Sequence, residues 1–262
     1  MDEVVHLAIE RGVATITLDS PATRNALSRQ LFTDLERHLD AALADERARV
    51  IVLTATGTVF CSGADLKEQR EANVAGATGA GQIGPGGLVG VVNRIWDSPK
   101  PVVARINGAA RAGGVGLMSA CDIVVAVNTA TFAFSEVRIG VVPAIISVVT
   151  LPRLGPVRGM ELMLTGEVFD ARAAAEWGFI TRAVPPDELD ATVGLFVEAL
   201  RKGGPTALAE TKKMVRRVPT LLPDKAFAEM TELSARMFGS LEAREGMTAF
   251  AEKRSPRWME VS

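Results

Sequence analysis

Three short apolar runs, each giving way to small or glycine-rich residues, most restrict how this chain can fold. Val50–Thr54, Val102–Ile106 and Ile123–Val127 hold almost no polar side chains. Such runs are typical of strands covered on both faces, and a sheet with helices packed on it supplies that cover. The predicted fold class is therefore α/β. Ahead of the first run, Val4–Ile9 and Val13–Leu18 form a predicted hairpin around Glu10-Arg11-Gly12. Ser28 then precedes Leu31, Leu35, Leu39 and Ala42 or Leu43, a helical spacing that predicts a helix to about Ala44 with Ser28 as its cap. A helical stretch around Leu117 separates the second and third runs. Ala75–Gly90 carries seven glycines and one proline in sixteen residues and reads as a loop. From Glu161 onward the pattern is mainly helical, apart from an extended Phe179–Val184. Helices are predicted over Ala171–Trp177, Asp187–Leu200, Thr206–Arg217, Lys225–Phe238 and Leu241–Lys253. The layout is a core over residues 1–185 and a helical C-terminal region over 186–262.

Rare residues exclude several chemistries. The 262 residues include no Tyr, so no tyrosine acid or base is available. The two histidines, His6 and His38, cannot build a three-histidine zinc site, and no metal site is expected. Cys61 and Cys121 form neither a C-x-x-C nor a disulfide framework. With 29 Lys+Arg against 31 Asp+Glu, there is no electrostatic footprint for nucleic acid. Met1-Asp2-Glu3-Val4 opens acidic, without a basic segment or an apolar signal core, and no run of ~18 apolar residues occurs. A cytoplasmic protein without a membrane span is expected.

Gly79-Ala80-Gly81-Gln82-Ile83-Gly84 matches G-x-G-x-x-G, but neither a preceding strand nor a ribose-binding carboxylate ~20 residues later accompanies it. It reads as part of the loop, not as a dinucleotide site. Phe60-Cys61-Ser62-Gly63-Ala64-Asp65-Leu66 is more informative. A strand leads here through small residues into a polar helix, Ala64–Glu71, whose first N–H groups lack intrahelical acceptors. The segment is either an anion site or a tight connection with Asp65 in the first turn. Asn107-Gly108-Ala109-Ala110-Arg111-Ala112-Gly113-Gly114-Val115-Gly116 repeats the pattern. Two such helix starts can aim two donors at one oxygen, the construction of an oxyanion hole, although close helix–strand packing also calls for glycine. Glu136, between Phe134 and Val137, is either salt-bridged to Arg138 or functional. Cys61 reads as a packed residue, because no histidine lies near it in sequence.

In this order, these segments resemble the crotonase (enoyl-CoA hydratase/isomerase) superfamily. The resemblance is carried by Arg24-Asn25-Ala26-Leu27-Ser28, Phe60–Leu66, Lys100-Pro101-Val102 through Asn107-Gly108, Gly113-Gly114, Cys121-Asp122-Ile123, and Glu136 with Gly140 and Pro143. It continues through Leu164-Thr165-Gly166, Ala174–Gly178 and Glu245-Gly246-Met247 to Lys253-Arg254, covering about Val4 to Trp258. It implies a spiral of ββα units with a helical C-terminal region that forms trimers or hexamers. It also implies an acyl-CoA substrate and no separate cofactor, coenzyme A being part of the substrate. By the same resemblance, Ala64 and Gly113 supply the two backbone donors to the thioester oxygen. Arg24, Ser62, Asp65, Leu66, Lys67 and Gly114 fall on substrate-binding positions, and Lys253 on one that approaches the CoA phosphates of a neighbouring subunit.

One position departs from the family pattern. Hydratases of this family with two catalytic glutamates carry the first of them three residues after the oxyanion glycine, which here is Gly116. The second family glutamate falls on Glu136. The expected activity is hydration of a 2-enoyl-CoA to a 3-hydroxyacyl-CoA. Isomerisation of a 3-enoyl-CoA through one glutamate is the alternative, and a non-catalytic CoA-binding scaffold is a third. Arg111 is either a surface residue or a contact to the acyl chain. The Ile145-Ile146 region and the loop at 75–90 are expected to line the acyl tunnel.

Overall fold

Arg11 and Gly12 adopt φ of +47° and +80°, the two positive values that a two-residue hairpin turn between twisted strands requires. They join β1 (Val5–Glu10) to β2 (Val13–Leu18) in antiparallel register, with Glu10 opposite Val13. The computed structural model describes residues 3–74 and 86–260. Ser28 caps α1 (Arg29–Ala44), its hydroxyl accepting the Leu31 N–H, and the helix buries Leu31, Leu35, Leu39 and Ala42 as its spacing predicts. The three apolar runs become β3 (Val50–Ala55), β5 (Val102–Ile106) and β7 (Ile123–Val127), which lie parallel in a six-stranded sheet of order β1-β2-β3-β5-β7-β10, with β10 at Arg182–Val184.

Each of the three is followed by a second, three-residue strand that leaves this sheet. These are β4 (Val59–Cys61), β6 (Ala109–Arg111) and β8 (Thr131–Ala133). With β9 (Phe169–Asp170) they form a four-stranded sheet of order β4-β6-β8-β9. The short strands β4 and β6 then feed α2 (Leu66–Val74) and α4 (Gly113–Ala120). The result is the expected spiral of ββα units. The glycine-rich motif Gly79–Gly84 lies outside the described residues. Helix α3 (Leu88–Trp96) includes Leu88, Val89 and Gly90, the last three residues of the predicted loop.

Helix α5 (Ala144–Thr165) is broken in the middle by Gly155 at φ +68°, between Pro152 and Pro156. Phe132, Phe134, Phe169, Trp177 and Phe179 pack on one another with ring centroids 5.6–6.3 Å apart. After the short α6 (Ala171–Glu176), α7 (Leu189–Lys202) adds Leu189, Val193 and Val197 to the apolar core, so core packing runs past residue 185. Beyond it, α8 (Pro205–Arg217), α9 (Pro223–Phe238) and α10 (Leu241–Ala251) bury fully only Ala249 among their hydrophobic residues.

One buried side chain ties the first connection together. Asn25, fully buried at φ +52°, donates to the carbonyls of Thr56 and Val59 at 3.1 and 2.8 Å and accepts from the Ser20 N–H at 2.7 Å. Asn25→Ala would remove the side-chain partner of three part-buried backbone groups, each typically worth ~1 kcal/mol, and would place alanine in a left-handed conformation. The expected loss is ~3 kcal/mol or more, seen as a lower urea midpoint at unchanged slope.

Candidate active site

Two strand-to-helix connections run side by side because β4 and β6 are parallel neighbours, with Cys61 opposite Ala110. The approach is so close that side chains are excluded. A Cβ on Gly63, whose φ is +89°, would lie 3.1 Å from the Arg111 carbonyl and 3.2 Å from the Ala112 Cβ. One on Gly114 would lie 2.7 Å from the Cys61 Cβ. Ala112 takes φ +47° and ψ −119°, a conformation rare outside glycine, and its N–H donates to the Ala133 carbonyl at 3.0 Å.

This packing leaves two N–H groups without acceptors. Leu27 N–H donates to Gly63 O and Asp65 N–H to Leu27 O, at 2.8 and 3.3 Å, which bypasses the Ala64 N–H between them. At the start of α4, Val115 and Gly116 both donate to the Ala112 carbonyl, and Gly113 is bypassed in the same way. Among the described residues neither the Ala64 nor the Gly113 N–H has a partner. Asp65 caps α2, its Oδ1 accepting from the Lys67 and Glu68 N–H groups at 3.0 and 3.2 Å. The free donor at this helix start therefore lies upstream of the first turn, and the helix begins at Leu66 rather than at Ala64.

The other predicted positions distribute as follows. Arg24, at φ +56°, accepts the Ser62 N–H on its carbonyl at 3.0 Å, so Arg24 and Ser62 adjoin the Ala64 donor. The side chains of Arg24, Leu66 and Lys67 are exposed around it. Lys253 stands apart. It follows α10, and the nearby Trp258 carbonyl accepts from Arg49 at the beginning of β3, whereas the donors lie beyond the far ends of the strands. Within one chain the structure does not bring Lys253 to the other candidates.

Glu136 opens a single turn, Glu136–Ile139, after β8. Because β8 runs parallel to β6 with Ala133 opposite Arg111, Glu136 and Gly113 leave neighbouring strands at the same edge. The carboxylate is half-buried, and its Oε2 is sealed from solvent with no hydrogen-bond partner. Burial raises its pKa above the ordinary carboxylate value, and its own backbone N–H opposes that only in part. The salt-bridge alternative is corrected by the structure. Arg138 turns away from Glu136, donating to the Thr165 carbonyl at 2.9 Å and to Glu167 at 2.6 Å.

Arg111 is partly buried. Its guanidinium reaches back along the sheet to the Ala110 carbonyl and to the Thr131 carbonyl and hydroxyl, away from Gly113. The contact of Ile146 with Gly116 is a feature that the sequence did not reveal. A Cβ on Gly116 would lie 2.3 Å from Ile146 Cγ2, so the space beside Gly116 is filled by a buried aliphatic side chain from α5. The partners are thirty residues apart in sequence, and no spacing rule links them. Cys61 is buried, and burial pushes its thiol up to about 12, which fits the packed residue expected. His38 bonds the Val5 carbonyl and Glu3, and His6 bonds Asp19, so both serve the hairpin end. Among the described residues no group of three metal-ligating side chains occurs.

Comparison with known proteins agrees with this geometry. The family described as enoyl-CoA hydratase/isomerase matches residues 8–261. A Thermus thermophilus protein that carries the provisional name enoyl-CoA hydratase is 35% identical over 251 residues, covering 95% of this chain and 99% of its own. The carnitinyl-CoA dehydratase of Proteus mirabilis is 33% identical over 264 residues, covering 98% of this chain and 99% of its own. The crystal structure of an enoyl-CoA hydratase from Shewanella pealeana superposes with a TM-score of 0.88 at 31% identity, covering 97% and 96% of the two chains. The fold is that of a crotonase-type enzyme. This chain belongs to the enoyl-CoA hydratase/isomerase family, and its relatives named hydratase and dehydratase are lyases.

The environment of Glu136 has a measurable consequence. A carboxyl whose folded pKa is raised above its unfolded value destabilises the fold at pH above the folded pKa, and that penalty disappears as pH falls below the unfolded one. Glu136→Gln is therefore expected to raise the thermal midpoint at pH 7. The gain should shrink as pH falls through the Glu136 pKa, in calorimetric scans of both proteins from pH 7 to 4.

Proposed function

We propose that the chain hydrates a 2-enoyl-CoA thioester to a 3-hydroxyacyl-CoA, with Glu136 as its acid–base group. The observation that carries this reading is the Glu136 carboxylate, partly desolvated and without a countercharge, at the same sheet edge as the unpartnered N–H groups of Ala64 and Gly113. Those two donors polarise the thioester carbonyl and stabilise the enolate. Losing one such donor typically costs ~3 kcal/mol of barrier. Ionised Glu136 takes a proton from water as the water oxygen bonds to Cβ, and the carbonyl receives the electron pair of the double bond. The same carboxyl then delivers the proton to Cα. Arg24, Ser62, Asp65, Leu66 and Lys67 flank the Ala64 donor and lie along the CoA moiety, with Gly114 below the thioester. The relatives named hydratase and dehydratase support this class of reaction.

A second reading has an observation of its own. Ile146 fills the space beside Gly116, leaving no room there for a second carboxylate. One carboxylate suffices to isomerise a 3-enoyl-CoA, removing a proton at Cα and returning it at Cγ without water. The loss of crotonyl-CoA absorbance reports hydration, and a 3-enoyl-CoA substrate reports isomerisation. In either case Glu136→Gln is expected to lower turnover ~100- to 10,000-fold at nearly unchanged acyl-CoA affinity, since the oxyanion donors are backbone groups. Wild-type turnover in that variant would remove Glu136 from the mechanism.

The same reading extends to assembly as a trimer or hexamer through the C-terminal helices. Phe238, Leu241, Met247 and Phe250 are 53–87% exposed in the single chain, a costly arrangement for an isolated tail. In an assembly Lys253 would meet the CoA phosphates of a neighbouring copy. Light scattering is expected to give three or six times the 27.8 kDa chain mass, and a monomer at micromolar concentration would contradict it.

A further inference from the structure

We propose that Arg138 is a positioning residue for Glu136: by clamping the turn that carries this glutamate onto the carbonyl end of α5, it holds the carboxylate at the working distance from the acyl carbons. The inference rests on the proposed role of Glu136. No residue of the Glu136–Ile139 turn is fully buried, so the turn lacks an apolar anchor of its own. Its internal bonds, Arg138 N–H to Ser135 O, Gly140 N–H to Val137 O and Val141 N–H to Glu136 O, set its shape but not its place. Among the described residues, the side-chain hydrogen bonds that tie it to another element are those of Arg138.

Those bonds end on a fixed point. Thr165 is the last residue of α5, and its carbonyl is one of the four that a helix terminus leaves without an intrahelical donor. Arg138 Nε donates to it at 2.9 Å, and Nη2 donates to Glu167 at 2.6 Å. Between these two residues Gly166 adopts φ +63° and leaves a slot that the arginine fills. A Cβ there would lie 3.0 Å from Arg138 Nε, 3.1 Å from its Cγ and 3.4 Å from the Phe134 carbonyl. The helix end is itself anchored, since Leu162 is buried in the core. Arg138 and Glu167 are 56% and 67% exposed, so their ion pair adds little to global stability. Its effect is local. The guanidinium makes no bond to the Glu136 carboxylate and acts through two residues of backbone. A displacement of ~1 Å at a reacting group can cost ~100-fold in rate.

The test measures kcat, KM, binding of the unreactive butyryl-CoA and thermal midpoint for wild type, Arg138→Ala, Arg138→Gln, Arg138→Lys and Glu136→Gln. The expected result is a ~10- to 100-fold fall in kcat for the Ala and Gln variants. Butyryl-CoA affinity should stay within ~2-fold, the midpoint within a few degrees, and Lys should recover part of the rate through the Thr165 carbonyl. If Arg138→Ala and Arg138→Gln keep kcat while Glu136→Gln is impaired, the positioning role is wrong and the proposed function stands. If kcat, affinity and midpoint fall together in both variants, Arg138 is a general structural residue and the proposal is overturned. If Glu136→Gln itself keeps wild-type turnover, the reading beneath the proposal is what fails.

Discussion

The site depends on backbone passing against backbone where two strands leave the main sheet. A Cβ on Gly108 would sit 2.0 Å from the Thr58 carbonyl, closer than any side chain can approach. Without a side chain at 108, β6 can lie beside β4, and Gly63 and Gly114 continue the same close contact into the two helix starts. The two bypassed N–H groups follow from that contact. Leu27 occupies the acceptor and donor on either side of Ala64, and Ala112 accepts from Val115 and Gly116, beyond Gly113. The donors proposed for the thioester oxygen are thus parts of the main chain and need no side chain held in one rotamer.

Much of the main sheet was legible because its strands are long enough to carry a pattern. The two-sided burial of β3, β5 and β7 shows in unbroken apolar runs, and the cap at Ser28 shows in the stripe that follows it. The second sheet was not legible from residues alone. Its strands are two or three residues long, too short for any periodicity, and they are held by pairing with one another rather than by their own composition. Only the ordered resemblance implied them. The site was legible in part for the same reason. Ala64, Gly113 and Glu136 sit in local signatures. The partner of Arg138 is Glu167, twenty-nine residues away, and the sequence offered the nearer Glu136 instead. Ile146 over Gly116 is likewise a contact between distant segments.

Electrostatically, the site is economical. Among the described residues Glu136 has no cation paired to it, and Arg111, two residues before Gly113, directs its charge to neutral oxygens. Burial lifts the Glu136 pKa above the ordinary carboxylate value. The exposed cations Arg24 and Lys67 flank the Ala64 connection, Arg24 through its carbonyl bond to the Ser62 N–H.

The break in α5 at Gly155 separates two jobs carried by one helix. Its first half presents Ile146 to Gly116, and its second half ends on the carbonyl that receives Arg138. A straight helix of 22 residues would pass any shift at one end to the other. With its ladder interrupted between Pro152 and Pro156, the first half can be reshaped by substitution while the second keeps its anchorage. A substitution in the wall beside Gly116 is then absorbed on one side of the break, and the helix end that holds the Glu136 turn keeps its place on the other.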